Sequence, residues 1–126
     1  MSTHREHLRP LSQVEIECEI ERLSSELESA LEEYVGLCKA EAEAENEYKR
    51  RYHRAVIVHS ERSTMADGRK TTVSWVESQA ALACEDVQAV YRIKSAGVRA
   101  LKEALTTKRA QMDALRTLSA NVRAMT

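Results

Sequence analysis

The sequence has 126 residues, of which 19 are Lys or Arg and 20 are Asp or Glu, and its net charge is −1. It contains no Phe, one Trp, three Gly and one Pro, a composition that argues against a thick globular core and is typical of long helices. No run of about 18 apolar residues predicts a transmembrane helix, and no apolar segment near the N-terminus predicts a signal peptide. We therefore expect one all-α domain in the cytoplasm, without membrane contact.

Residues 1–11 are predicted to form a flexible N-terminal arm, because Pro10 stops any helix from running through them. Ser12 and Glu15 then have the spacing of a capping box at the start of a helix. From there apolar residues recur in steps that alternate between four and three, as in the seam of a coiled coil. This pattern predicts a first helix over about 13–60. Its seam positions are Ile16, Ile20, Leu23, Leu27, Ala30, Tyr34, Leu37, Tyr48, Tyr52, Ala55 and Val58.

Residues 61–73 lack an apolar period and contain the turn dipeptide Asp67-Gly68, so we place the connecting loop there. Ser74 and Glu77 repeat the capping-box spacing and predict the start of a second helix, over about 74–124. The same alternation of steps continues along this helix. Its seam positions are Ala80, Cys84, Val87, Tyr91, Lys94, Val98, Leu101, Leu105, Lys108, Met112, Leu115, Ser119 and Val122.

Two long amphipathic helices joined by a short loop predict an antiparallel coiled-coil hairpin, here the single domain 12–126. The charges support this arrangement, because residues 13–47 have a net charge of −10 and residues 92–123 a net charge of +6. Antiparallel packing brings these two segments side by side. Since each helix offers only one stripe to the core, we also expect a homo-oligomer, whose number of subunits stays open.

The residues that could support catalysis or metal binding are few and scattered. Cys18, Cys38 and Cys84 are odd in number and far apart, which argues against a disulfide framework and a zinc site, and we expect them to be small apolar helix residues. His53 and His59 are six residues apart and therefore lie on different faces of a helix. No Gly-rich phosphate loop is present. We expect neither a cofactor nor enzymatic activity.

A basic, aromatic stretch ends the first helix: residues 48–54 read Tyr-Lys-Arg-Arg-Tyr-His-Arg. Residues 48–70 have a net charge of +5, and the hairpin leaves them at the loop end, away from the acidic start. Basic groups attract phosphates, and aromatic rings stack on unpaired bases. The predicted surface for single-stranded DNA consists of Lys49, Arg50, Arg51, Tyr52, Arg54, Arg62, Arg69, Lys70 and Trp75. The alternative is that Tyr48 and Tyr52 are packed seam residues, Trp75 is a hydrophobic staple and the cations form a solvated face.

The layout of residues 30–124 resembles the small all-helical phage recombination mediators of the UvsY type. The Ala/Glu-rich stretch Ala40–Tyr52, the basic break after it and the C-terminal pattern Asp113–Arg123 carry the resemblance. It implies a protein that binds single-stranded DNA, oligomerises and helps to load a recombinase against a single-strand-binding protein. The resemblance implies that the basic end contacts phosphates, with Arg116 and Arg123 as an alternative strand contact. It also implies that the C-terminal helix mediates self-association, for which we expect Val98, Leu101, Leu105, Met112, Leu115 and Val122.

Two functions follow from these patterns. The first is a non-enzymatic phage recombination accessory that binds single-stranded DNA through its basic, aromatic end and assembles through its long helices. It would act in the cytoplasm of an infected bacterial host. The alternative is a helical adaptor that binds a protein partner and no nucleic acid, using a seam that Lys94 and Lys108 leave partly open to water.

Overall fold

The computed structural model describes residues 11–62 and 68–125. Within these ranges it has three helices and no strand: α1, Gln13–Ser60; α2, Val73–Ala83; and α3, Glu85–Met125. The predicted all-α class is confirmed, and the two long helices, α1 and α3, pack against each other. None of the described helices is long and apolar enough to cross a membrane. The predicted arm, apart from Leu11, and Asp67 of the predicted turn lie outside the described residues.

Ser12 caps the start of α1. Its Oγ accepts a hydrogen bond from the backbone N–H of Glu15 at 3.2 Å, and its carbonyl accepts one from the N–H of Ile16 at 3.0 Å. This half of the predicted capping box is confirmed. The first turn of a helix leaves its N–H groups without partners inside the helix, so such a cap fixes where the helix begins.

The second helical segment begins earlier than the sequence predicts. Thr72 is its N-cap, and the side-chain oxygen of Thr72 accepts a hydrogen bond from the N–H of Trp75 at 3.1 Å. The predicted capping box of Ser74 and Glu77 is therefore wrong. Val76, in the first turn of this helix, is 7% exposed. Several neighbouring hydroxyl residues can cap a helix, so the sequence pattern alone does not identify the cap.

A break at Cys84 divides the helix expected over 74–124, so the prediction of one continuous helix is wrong. The backbone of Cys84 has φ −113° and ψ 12°, away from helical values. Its N–H donates to the carbonyl of Ala81 at 3.2 Å, which closes a tighter turn. Neither Pro nor Gly is present at this point, and the Cys84 side chain is 1% exposed. Because no breaker residue is present, we attribute the interruption to tertiary packing.

Met1–Glu33 and Leu101–Thr126 form one compact unit. In its described part the buried residues recur every seven positions on each helix. They are Ile16, Leu23 and Ala30 on α1 and Leu105, Met112 and Ser119 on α3. Ser119 is polar, and its Oγ accepts a hydrogen bond from Nε2 of Gln13 at 2.9 Å. The seven-residue period is the one that the heptad seam predicts.

Ion pairs join the two helices of this unit. Lys108 Nζ lies 2.9 Å from Glu26 Oε2, and Arg123 Nη2 lies 3.5 Å from Glu17 Oε1. The residue number falls on α1 as it rises on α3, so the two segments are antiparallel. The hydrogen bond from Lys108, supported by the guanidinium of Arg22, lowers the pKa of Glu26. The acidic start of α1 thus lies beside basic residues of α3, as the charge pattern predicts.

Tyr34–Ala100 form the second compact unit. Its buried residues within the described part are Val76, Ala80 and Cys84, which recur every four positions. On α1 the predicted seam is displaced near its end, because Val58 is 51% exposed whereas the neighbouring His59 is half-buried. His59 packs against the ring of Trp75, with ring centroids 5.8 Å apart. The contact with α2 therefore moves the buried stripe by one residue, and the prediction that Val58 belongs to it is wrong.

Candidate nucleic-acid interface

The residues predicted to contact DNA all belong to the second unit. The exposed ones are Lys49, Arg50, Arg54, Arg62, Arg69 and Lys70. The half-buried ones are Arg51, Tyr52 and Trp75. Their side chains nevertheless differ in what they contact. These contacts divide them into cations paired with acids, cations without such a pair, and packed aromatic rings.

Lys49 and Arg50 are paired with acids one turn earlier on α1. Lys49 Nζ lies 2.8 Å from Glu45 Oε1, and Arg50 donates to the carboxylate of Glu47. The hydrogen bond to Glu45 raises the pKa of Lys49. These two cations therefore lie away from the acidic start of α1, as predicted, but each has an acid beside it on the same helix. The sequence does contain a signal for these pairs, because acids three or four residues before a cation lie next to it on a helix. The charge sum missed it because it starts at Tyr48 and leaves both acids out.

Arg51 is paired with an acid on another helix. Its Nη1 lies 3.3 Å from Oδ2 of Asp86, in the first turn of α3. The two side chains are 39% and 66% exposed, so solvent screens this pair. One such bond leaves further N–H donors of the guanidinium available to a ligand. Sequence spacing did not indicate this pair, because the two residues meet only after the chain has turned back.

Arg54, Arg62 and Lys70 have no ion pair within residues 11–62 and 68–125. Arg69 differs, because it has an interaction of its own. Arg62 and Lys70 lie on the two sides of the loop, which Thr71 ties together by donating from Oγ1 to the carbonyl of Arg62 at 2.9 Å. Fewer cations than predicted are therefore without an acidic partner in the described part of the chain. They lie on the two sides of the loop and at Arg54 on α1.

The tyrosines of α1 are partly packed. The ring of Tyr48 stacks on Tyr52 at a centroid distance of 6.1 Å and lies 6.2 Å from Tyr91 on α3. The hydroxyl of Tyr48 accepts a hydrogen bond from Nε2 of Gln88 at 3.3 Å. These contacts agree with the alternative in which Tyr48 is a seam residue. Tyr52 also touches Tyr48, but it lines an open groove as well.

A groove of about 480 Å³ lies beside Tyr52, between the end of α1 and the start of α2. This surface, the Tyr52 groove, is lined by Tyr52, His53, Val56, Ser60, Thr71, Thr72, Val73, Val76 and Glu77. It combines the rings of Tyr52 and His53 and three valine side chains with four hydroxyl groups and the carboxylate of Glu77. Lys70 immediately precedes it in the chain. Such a mixed lining fits a flat, largely apolar ring with polar edges, such as a nucleobase.

A separate groove of about 340 Å³ shares no residue with the first. This surface, the Arg54 groove, is lined by Arg51, Arg54, Ala55, Val58, His59, Ala83 and Cys84. His59 holds its ring edge-to-face against Trp75, with an interplanar angle of 88°. Trp75 therefore packs at the start of α2, although it follows the cap instead of preceding it as a hydrophobic staple does. Sequence reasoning missed this groove, whose lining includes Cys84, where the helix is interrupted.

The residues assigned to self-association lie in the seam between α1 and α3. Leu105 and Met112 are 4% and 3% exposed within the single chain. The others are half-buried, namely Val98, Leu101, Leu115 and Val122. Leu105 and Met112 can reach a second copy only if the helices part. Their role between copies stays a prediction.

The free cysteines differ in their surroundings. Cys84 is buried and Cys38 half-buried, whereas Cys18 is exposed on α1. No group of three or more His, Cys, Asp or Glu side chains in the described part of the chain could hold a metal ion.

Comparison with protein-family models, with curated proteins and with solved structures gives no match to this chain.

Proposed function

We propose that this chain is a non-enzymatic recombination accessory that binds single-stranded DNA and associates with further copies of itself. The observation that carries the proposal is the Tyr52 groove, in the same unit as three cations that lack an ion pair within the described residues, namely Arg54, Arg62 and Lys70. The recombination role, and its setting in the cytoplasm of an infected bacterium, rest on the resemblance to phage mediators.

The proposed contacts combine stacking and charge. A base in the Tyr52 groove gains about 1–3 kcal/mol from stacking on an aromatic ring. Phosphates of the same strand are attracted to Arg54, Arg62 and Lys70. Each phosphate contact on a single strand adds about 0.7 to the slope of log affinity against log salt, so these three cations give a slope of about 2. All seven predicted cations together would give a slope of about 5.

Fluorescence anisotropy with a labelled oligothymidylate tests the proposal. The variant R54Q/R62Q/K70Q removes the three cations of the predicted surface that have no ion pair within the described residues. The matched control R99Q/K102Q/R109Q removes the same charge from exposed positions of α3 outside the predicted surface. We expect the first variant to lose most of the affinity and of the salt dependence, and the control to retain both.

Two results would contradict the proposal. The first is no binding by the unmodified chain at low salt, where counterion release favours binding most. The second is an equal loss in both triple variants, because it would mean that net charge rather than location governs binding. Tyr52→Leu adds a test of stacking: it keeps an apolar side chain in the groove and is expected to weaken binding by about 1 kcal/mol or more.

A second candidate function is a helical adaptor for a protein partner. The observation that favours it is the exposure of large apolar side chains in the second unit, including Val73 at 76%, Ile93 at 70% and Leu82 at 60%. Exposed apolar surface of this kind marks protein-binding sites when it is contiguous. A stoichiometric partner that stays bound after nuclease treatment, together with no oligothymidylate binding, would favour this candidate over the first.

The recombination role has its own test. A mediator is expected to speed the loading of a recombinase on single-stranded DNA that a single-strand-binding protein already covers. Self-association is measured by light scattering, with and without the oligothymidylate. Strand binding without any effect on recombinase loading would limit the function to DNA binding.

A further inference from the structure

The Arg54 groove joins charge to exposed apolar surface. Its guanidinium groups come from Arg51 and Arg54, and its apolar lining comes from Ala55, Val58, Ala83 and Cys84. Val58 is 51% exposed, and its neighbour Ile57 is 58% exposed. A folded chain does not gain from keeping such side chains in water beside a groove. The ligand that fits this groove best covers its apolar surface and also neutralises its cations.

The lining separates two classes of anionic ligand. A phosphate gains from the guanidinium groups but gains nothing from the alanine and valine side chains that it would bring out of water. A peptide carboxylate accepts charge-assisted, bidentate hydrogen bonds from Arg54, and an apolar side chain beside it covers Val58. The volume of about 340 Å³ lies at the small end of ligand sites. It fits one or two side chains of a short segment.

We propose that the Arg54 groove binds a short acidic segment of a partner protein in which Asp or Glu stands next to a large apolar residue. This segment occupies a different groove from the base of the proposed function, but it shares Arg54 with the phosphates of that strand, so the two ligands compete for this guanidinium. The chain also carries a competitor of the acidic segment. Asp86 holds Arg51 at 3.3 Å, so an incoming carboxylate shares this guanidinium with Asp86 or displaces it.

The test uses a panel of fluorescent peptides and the full chain. The panel contains acidic peptides with Leu and Phe at varied spacings, the same peptides with Ser in place of Leu and Phe, and basic versions that keep Leu and Phe. Val58→Ser removes the apolar contact without changing the charge. Val35→Ser is the matched control, an equally simple change at a 69% exposed valine of α1 that does not line the groove.

We expect acidic peptides with Leu and Phe to bind and both other sets to bind at least about tenfold more weakly. Val58→Ser and Arg51→Gln are expected to weaken binding about tenfold, Val35→Ser to leave it unchanged, and Asp86→Asn to strengthen it. Asp86→Asn separates the proposal from a folding defect, because a damaged groove does not bind more tightly.

Three results overturn the inference: no acidic peptide of the panel binds, the Ser versions bind as well as the parents, or Val58→Ser and Val35→Ser behave alike. Oligothymidylate binding is measured on the same variants. If Val58→Ser weakens the oligothymidylate and not the peptides, the groove belongs to the strand and the inference fails while the proposed function stands. If the unmodified chain binds peptides but no oligothymidylate, the proposed function fails and the inference stands.

Discussion

Leu105→Ala measures how much of the stability comes from the seam inside one chain. Leu105 is 4% exposed and belongs to the set of buried residues that recur every seven positions. A buried Leu→Ala change costs about 2–5 kcal/mol, from the lost transfer free energy and the cavity. No third layer of the described chain confines this site, so its surroundings can relax. We therefore expect a loss near the middle of that range, about 3 kcal/mol.

Leu118→Ala is the matched control, because Leu118 lies on the same helix but is 39% exposed. The change in helix propensity is the same at both positions and cancels in the comparison. We expect a loss below about 1 kcal/mol at Leu118. With an unfolding entropy of about 2.1 cal/mol/K per residue, a chain of 126 residues loses about 11 °C in Tm for 3 kcal/mol and less than about 4 °C for 1 kcal/mol.

Thermal unfolding followed by circular dichroism at two protein concentrations, about tenfold apart, provides the assay. The losses are expected to be the same at both concentrations if α1 covers Leu105 within the chain. Equal losses for Leu105→Ala and Leu118→Ala would refute the reasoning from burial. A loss at Leu118 that grows with protein concentration would instead place that residue in a contact between copies, since only association makes Tm depend on concentration.

Two further changes test local contacts. Thr72→Ala is expected to lower the free energy of unfolding by about 1 kcal/mol because it removes the N-cap of α2, whereas Ser74→Ala is expected to lower it little. Chemical denaturation measures both losses. Equal losses would contradict the assignment of the cap. Lys108→Gln is expected to raise the pKa of Glu26, which Lys108 lowers, and an NMR titration of the carboxyl carbon measures it. Because the pKa of Glu26 is lowered in the folded chain, the pair adds stability above the ordinary Glu value of about 4.3, and this contribution is lost as the pH falls through the lowered pKa.

The heptad pattern carries the part of the fold that the sequence predicts well. Ile16, Leu23 and Ala30 are seven residues apart and are buried in the structure. A seven-residue apolar period keeps one stripe of a long helix turned toward a partner, so the period alone identifies the buried positions. Opposite charges such as those of Glu26 and Lys108 then select the antiparallel arrangement, and these two residues pair. Both signals are regular over many turns, so local exceptions do not hide them.

The heptad pattern does not predict the break at Cys84 or the cap at Thr72. The seam continues through Cys84 in the expected steps, and Ala81 and Ala83 beside it are good helix formers. The side chain at the interruption is 1% exposed, and we attribute the break to its tertiary packing. The cap at Thr72 is one of several neighbouring hydroxyl residues that could begin α2, and the sequence does not decide among them. Local propensity is a weak guide wherever tertiary contacts compete with it.

The ion pairs of the candidate site are only partly predictable from the sequence. Block sums of charge treat a segment as uniform, whereas a helix brings each side chain next to those three and four residues away. Glu45 beside Lys49 was therefore predictable from spacing. The pair of Arg51 with Asp86 was not, because it depends on where α3 begins. The number of cations without an acidic partner in the described chain is smaller than the sequence suggests. The slope of log affinity against log salt measures how many of them contact a strand.

Both grooves trace back to the way α2 meets α1. The buried residues of α2 and its cap, Val76, Ala80 and Cys84, recur every four positions instead of in alternating steps of three and four. A stripe with this spacing winds around its helix, and such i±4 rows are typical of helices that cross at a larger angle than in a coiled coil. On α1, Val58 is exposed while His59 packs against Trp75 of α2. Both the Tyr52 groove and the Arg54 groove take residues from α1 and from α2 or its cap. Val58 and Cys84 line the Arg54 groove together, so the proposed peptide site lies at a helix interruption that the sequence does not signal.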